Sequence, residues 1–220
     1  MDWQYKITNL REKVTLDLRF LDSRIGAEEE ARYLLHTKAG KFSKWDFCVF
    51  CELCNTELVP PKRSFHFRDK ESPTRFQPAC IGANRKHMIQ CLEACNKWIA
   101  KLWQSDDKNV LEVLEEFWKM NQVMGAGTGF PTMIMYLKDT MKFNVWLPFL
   151  VKGINILSSG NLPTPGIQKN RNVNNYINYN ELIKDKLKSG QNKDLKPQEI
   201  DYILYWIRVE SLNTPKVGSR

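Results

Sequence analysis

The sequence contains no run of about 18 or more apolar residues, which is what a membrane-spanning helix needs. Charged side chains interrupt the first 25 positions, which argues against a secretion signal. They include Asp2, Lys6, Arg11, Glu12 and Lys13. Six cysteines without such a signal indicate a reducing compartment, where thiols stay free or bind metal. We therefore expect a cytoplasmic protein without a membrane partner.

Two further absences narrow the function. The chain lacks a Gly-x-x-x-x-Gly-Lys-Ser/Thr loop for nucleotide phosphates, and it lacks a repeat of about 20 to 50 residues. Its 42% hydrophobic content is ordinary for a globular protein, and 220 residues suffice for one large core or two small domains. We expect a globular protein without a nucleotide-phosphate loop of this kind.

The charge is strongly positive and unevenly placed. The formal net charge is +8, and the segment from Pro60 to Lys101 contains nine basic residues and three acidic ones. Aromatic side chains intermingle with this basic run, as they do in nucleic-acid binders that combine stacking with phosphate neutralisation. They are Phe65, Phe67, Phe76, Trp98 and Trp103. The run makes Arg85 and Lys86 candidate DNA contacts; the alternative is a solvated surface of scattered charges.

Apolar spacing predicts a mainly α fold, a helical bundle with a less regular N-terminal part. Helices are predicted over 27–37, 81–103, 110–118, 132–137 and 145–157, then around 182–187 and from Pro197, with Pro148 and Pro197 in first turns. The segment 14–20 is compatible with a short strand or a helix, and 170–180 is expected to be a long polar connection. We predict a basic, cysteine-containing subdomain at 1–104 and a helical domain at 105–220.

The segment Met124-Gly-Ala-Gly-Thr-Gly129 separates two helical patterns. Its glycines adopt positive φ at no steric cost, and the free amides and dipole of a new helix attract anions. We expect a helix-hairpin-helix-like turn that contacts DNA phosphates without reading bases. The candidate contacts are Gly125, Ala126, Gly127, Thr128 and Gly129, with Lys138 and Lys142 adding charge nearby. The alternative is a tight helix connection whose glycines permit close packing.

The residues around this turn resemble a known helical module. Glu115–Leu137 with its Gly-x-Gly turn, Lys142–Leu150, Tyr176–Ile183 and Glu199–Trp206 are similar to segments of proteins related to helix-hairpin-helix DNA glycosylases. Such modules stand at the front of McrBC-type modification-dependent restriction proteins, ahead of a nucleotide-driven motor. The resemblance covers roughly residues 109–207. It implies a DNA-recognition module of a prokaryotic defence system, with DNA, modified or not, as partner beside a motor or nuclease subunit.

Departures from that pattern bear on catalysis. The glycosylases place an aspartate shortly after the second helix of the hairpin and often a lysine within the hairpin. Here the corresponding region has Asn144 and Trp146 with no carboxylate, and Met124–Thr128 contains no lysine. We therefore expect DNA binding without catalysis.

Cysteine spacing offers a separate hypothesis. Cys51 and Cys54 form a C-x-x-C pair, and Cys91 and Cys95 a C-x-x-x-C pair, which together supply the four thiolates of a tetrahedral structural zinc site. The alternative is that all four are small buried residues on helical faces, because free cysteine often packs as a hydrophobe.

Two other functions remain open. His66, Asn84 and His87 follow one another between the cysteine pairs, as in an HNH-type metal-dependent nuclease, although the spacing differs. A helical protein–protein adaptor with incidental charge is the second alternative. His36 has no partner in the sequence pattern and is interpreted as a residue of a helix surface.

Overall fold

The computed structural model describes residues 3–16, 18–54 and 85–213. Regular structure in these ranges is helical, which confirms the predicted mainly α class, and they contain none of the short strands left open for the N-terminal part. Across the same ranges, none of the helices combines the length and apolarity that a bilayer crossing requires.

Ten helices are described, with two short 3-10 turns at Gln168–Asn170 and Gly190–Asn192. The helices are α1 Trp3–Leu16, α2 Leu18–Lys38, α3 Lys44–Leu53, α4 Arg85–Gln90, α5 Leu92–Gln104, α6 Val110–Met120, α7 Gly129–Lys138, α8 Pro148–Ser158, α9 Val173–Leu187 and α10 Pro197–Asn213.

Local sequence explains several of these boundaries. Ser43 and Asp46 start α3 with a capping box, in which the Ser43 hydroxyl accepts from the Asp46 amide at 3.1 Å and the Asp46 carboxylate accepts from the Ser43 amide at 2.9 Å. Pro148 and Pro197 open α8 and α10, so both predicted first-turn prolines are confirmed.

The predicted polar connection at 170–180 is wrong, since α9 already begins at Val173. Asn172 caps the helix, its side chain accepting from the Asn175 amide at 2.9 Å. Two tyrosines then fix α9 in the core: the Tyr176 hydroxyl donates to the Asn144 carbonyl at 2.9 Å and the Tyr179 hydroxyl to that of Val145 at 3.0 Å. Tertiary contacts outweigh the weak helix propensity of asparagine here.

Helix α7 lies at the centre of the bundle. Every residue from Gly129 to Leu137 is buried, and the helix contacts α2, α5 and α6. A helix that is apolar all round is stable only when neighbours cover it on every side. The neighbouring helices meet through aromatic rings, with Trp98 of α5 and Phe117 of α6 packed edge to face at 5.3 Å between ring centroids.

One hydrophobic core extends across the predicted boundary at residue 104. It includes Phe47 and Trp98 on one side of that boundary and Phe117 and Phe130 on the other. The division into 1–104 and 105–220 remains a prediction, but the described residues on both sides share this core.

A buried ion network joins α2, α7 and α10. Arg24 is fully buried and donates to Glu28 at 2.9 Å and to Asp201 at 2.7 Å. The Tyr136 hydroxyl donates to Glu28 at 2.9 Å, and the Gln198 side-chain amide donates to the same carboxylate at 2.7 Å. Because Asp201, Tyr136 and Gln198 lie more than a hundred positions from their partners in α2, periodicity in the sequence could not reveal these contacts.

Candidate nucleic-acid interface

The glycine turn between α6 and α7 has an open outer surface. Asn121, which follows the last residue of α6, has φ of 47°, and Gly125 has φ of 82°. Both values lie in the left-handed region that favours glycine. The Met124 side chain is 58% exposed. A Cβ atom placed on Gly127 would meet no heavy atom within 4 Å. Gly125 to Gly127 therefore leave room for a close approach by another molecule.

The last two residues of the predicted turn site are buried. The Thr128 hydroxyl donates to the Trp146 carbonyl at 2.7 Å, while the Thr132 hydroxyl donates to the Thr128 carbonyl at 2.7 Å and accepts from the Trp146 amide at 3.0 Å. Gly129 is buried beside them. These bonds join the start of α7 to the segment before α8, so the open part of the turn is 125–127.

A groove of about 410 Å³ adjoins the turn. We call it the turn groove, and it is lined by Gln90, Cys91, Leu92, Glu93, Ala94, Lys97 and Gln122. Gln122 precedes the glycines, whereas Gln90 and Cys91 form the junction of α4 and α5. Lys97 is exposed, and no ion pair is found for it among the described residues. The fold thus brings the end of α4, one exposed cation and the exposed carboxylate of Glu93 beside the glycine turn.

Arg85 and Lys86 are the first two residues of α4, the helix whose end lines the turn groove. Their side chains lie outside those that the structure describes. Their predicted role in DNA binding stays a prediction, and the position of α4 is compatible with it.

The two lysines expected beside the turn lie elsewhere, which corrects their predicted placement. Lys138 ends α7, nine residues or about 13 Å along the helix from Gly129. Its ammonium group donates to the Trp103 carbonyl at 2.8 Å and also to that of Ser105. Lys142 pairs with Asp107, and with Asp139 at 3.3 Å. Both cations have intramolecular partners.

The lysines at that end of α7 reinforce the connection between α5 and α6. Burial lowers the pKa of Lys138, and the negative charges of Asp107 and Asp106 oppose that shift. The hydrogen bond from Lys142 lowers the pKa of Asp107. The two lysines therefore satisfy carbonyls and carboxylates of the protein itself.

The structure offers no support for the four-cysteine zinc site. Cys91 and Cys95 both donate from sulfur to the Met88 carbonyl, at 3.4 Å and 3.3 Å. Burial raises the pKa of the Cys95 thiol far above its ordinary value, and the neighbouring thiols of Cys91 and Cys51 raise it further. Within 3–16, 18–54 and 85–213, no three histidine, cysteine or carboxylate side chains are grouped to hold a metal ion.

The alternative nuclease site falls mostly outside the description. His66 and Asn84 lie outside the described residues, and His87 is exposed on α4. The nuclease hypothesis therefore stays a prediction.

Comparison of the chain with protein-family profiles, curated proteins and solved structures finds no match. The resemblance to the modules of McrBC-type restriction proteins remains an expectation from the motifs.

Proposed function

We propose that this protein is a DNA-binding module of a prokaryotic restriction or defence system, and that it holds DNA by the phosphates without catalysis of its own. The observation that supports this most directly is the open glycine turn at 125–127 beside the turn groove. Two of the three residues in this turn are glycines, which have no Cβ atom. The turn lies next to the groove that the exposed Lys97 and the end of α4 line.

The chemistry of this surface suits a phosphate backbone. The amides of Gly125 and Gly127 and a lysine can contact phosphate oxygens and fix the position of a duplex, but they carry no sequence information. The Ala126 amide already donates to the Val123 carbonyl at 3.1 Å. The net charge of +8 favours association with a polyanion. Sequence or modification would then be read elsewhere, and cleavage would belong to a motor or nuclease subunit on the same or another chain.

Gly127→Asp tests this proposal. The new Cβ meets no atom within 4 Å, so the substitution leaves the fold intact while placing a carboxylate where the phosphate would lie. We expect about tenfold or greater weakening of duplex binding, because like charges in an interface cost several kcal/mol. Fluorescence anisotropy with a short labelled duplex measures the loss.

Two controls make that test specific. Gly127→Ala adds only an uncharged Cβ and should weaken binding less than Gly127→Asp, so that the difference between the two variants reports the carboxylate. Lys97→Ala should reduce the slope of log affinity against log salt by about 0.9, the loss of one phosphate contact. Lys152→Ala, an exposed α8 lysine outside the turn groove, removes the same charge and should leave that slope almost unchanged. Wild-type binding by Gly127→Asp would reject the turn as the contact site.

A further inference from the structure

A second and larger groove lies where α2, the ends of α5 and α7, and the start of α10 meet. Its volume is about 1090 Å³, and it shares no lining residue with the turn groove. Pockets for one small ligand occupy about 300 to 1,000 Å³, so this groove has room for a longer ligand. We call it the basic groove, and its lining includes Arg32, His36, Lys41, Trp103, Lys138 and Lys196.

Two of its cations are held in place by the protein. Arg32 donates to the Leu137 carbonyl at 2.9 Å and pairs with Glu28 at 3.3 Å. Lys138 is fixed by the carbonyls at the end of α5. The carboxylate of the lining, that of Asp139, lies 3.3 Å from the Lys142 ammonium. Arg32 and Lys138 therefore give the groove two cations whose positions are fixed by the protein.

The other two lysines are available to a ligand. Lys41 follows α2 and Lys196 precedes α10, and both side chains are exposed. Within the part of the chain that the structure describes, neither ammonium group has a hydrogen bond or an ion pair. An anion that enters the groove can therefore reach two ammonium groups without breaking any described contact.

Trp103 gives the groove an aromatic surface. Its ring is partly buried and packs edge to face against His36, with 4.9 Å between ring centroids. The Trp103 carbonyl is held by Lys138, which fixes the backbone beneath the ring. Binders of single strands combine a positive groove with aromatic side chains on which bases stack. A duplex keeps its bases inside, so only an unpaired base could stack on Trp103.

We propose that the basic groove binds a single-stranded segment of nucleic acid, with a base on Trp103 and phosphates on Lys41 and Lys196. This goes beyond the proposed function, because it uses another surface and another form of nucleic acid than the glycine turn. Gln104, Thr37 and Thr140 also line the groove and supply polar groups for the strand.

The test compares wild type with the double variant Lys41→Ala/Lys196→Ala on a labelled single-stranded oligonucleotide over a range of salt. Each lost phosphate contact reduces the slope of log affinity against log salt by about 0.7, so we expect the double variant to lose about 1.4. The charge-matched control is Lys152→Ala/Lys184→Ala, two exposed lysines outside the basic groove, which should keep the wild-type slope.

A second variant tests the aromatic contact. Trp103→Leu keeps an apolar side chain at this half-buried position but removes the stacking surface. It should weaken oligonucleotide binding without changing the salt slope, since no charge is lost. Circular dichroism confirms that the variants are folded before their affinities are compared.

The two proposed binding surfaces can be tested separately. Gly127→Asp should leave single-strand binding unchanged, and the basic-groove double variant should leave duplex binding unchanged. An unchanged slope in the double variant would overturn the inference. So would adenosine monophosphate binding as tightly as the oligonucleotide, or polyglutamate displacing it equally well, since these point to a free nucleotide or an acidic peptide as the ligand.

Discussion

Arg24 is the residue on which the charged interior depends. It neutralises two carboxylates that are almost fully buried, and it joins α2 to α10. Buried ion pairs contribute little net stability relative to a well-packed apolar replacement, but removing one partner leaves charge without compensation. Loss of Arg24 would therefore leave the buried carboxylates of Glu28 and Asp201 without the positive charge that neutralises them.

We expect Arg24→Met to lower the free energy of unfolding by about 3 to 5 kcal/mol, because Glu28 and Asp201 lose their buried partner. Urea denaturation measures the change. Lys119→Met is the control: Lys119 is exposed and pairs with Glu115 of the same helix at 3.3 Å, so its loss should cost about 1 kcal/mol or less. Equal losses in the two variants would contradict this role for the network.

The ionisation of Asp46 should make the stability of the protein depend on pH. Its carboxylate accepts from the Lys38 ammonium at 2.6 Å and from the Ser43 amide and hydroxyl, and these bonds hold its pKa at about 2, below the ordinary 3.8. Because the folded pKa is the lower one, this stabilisation is present above about pH 4 and lost as the pH falls toward 2.

Asp46→Asn removes that pH-dependent contribution. Urea midpoints at about pH 5 and about pH 2.5 should show wild type more stable than the variant at the higher pH, with the gap narrowing at the lower pH. A gap of the same size at both pH values would show that the carboxylate charge does not stabilise the start of α3.

At the scale of helices, sequence periodicity predicted most of the helices from α4 onward, whereas α1 and α3, in the part expected to be less regular, were not predicted. The apolar faces of α5 and α6 and the first-turn prolines of α8 and α10 were readable because they are local signals. The break at Cys91 between α4 and α5 was not readable from periodicity, and neither was the helical start of α9, whose tyrosines bond carbonyls of a distant segment. The packing of α8 against α10 was equally hidden in the sequence.

A pair of glycine substitutions tests that packing. A Cβ on Gly153 of α8 would lie 2.2 Å from the Leu204 carbonyl oxygen of α10, so Gly153→Ala should destabilise by about 1 to 3 kcal/mol through overpacking. Gly26→Ala lies inside α2 with nothing within 4 Å, and it should stabilise by about 0.5 to 1 kcal/mol. Thermal or urea unfolding of both variants gives the comparison, and a stabilising Gly153→Ala would refute the close approach.

At the scale of the whole molecule, the shared core predicts one unfolding transition. Tryptophans lie on both sides of residue 104, with Trp98 in α5 and Trp118 in α6. Fluorescence and far-ultraviolet circular dichroism should therefore give coincident urea curves. Two separate transitions would instead support independent domains at 1–104 and 105–220.

The candidate site was only partly predictable. The Gly-x-Gly pattern located the turn, because the conformational freedom of glycine is a property of the residue type and can be read from the sequence. The burial of Thr128 and the internal partners of Lys138 and Lys142 depend on how α7 sits in the bundle, which spacing does not specify. Trp103 was one of five aromatic residues noted with the basic run, but only the fold shows that it shares a groove with Lys41 and Lys196.

The central claim is that this protein binds DNA through phosphate contacts. The most direct measurement is the affinity of the wild-type protein for a labelled duplex between about 50 and 200 mM salt. If phosphates carry the binding, the logarithm of the affinity should fall steeply and linearly with the logarithm of the salt concentration, with a slope of about −0.9 for each phosphate contacted. Absence of duplex binding, or binding whose affinity does not change with salt, would contradict it.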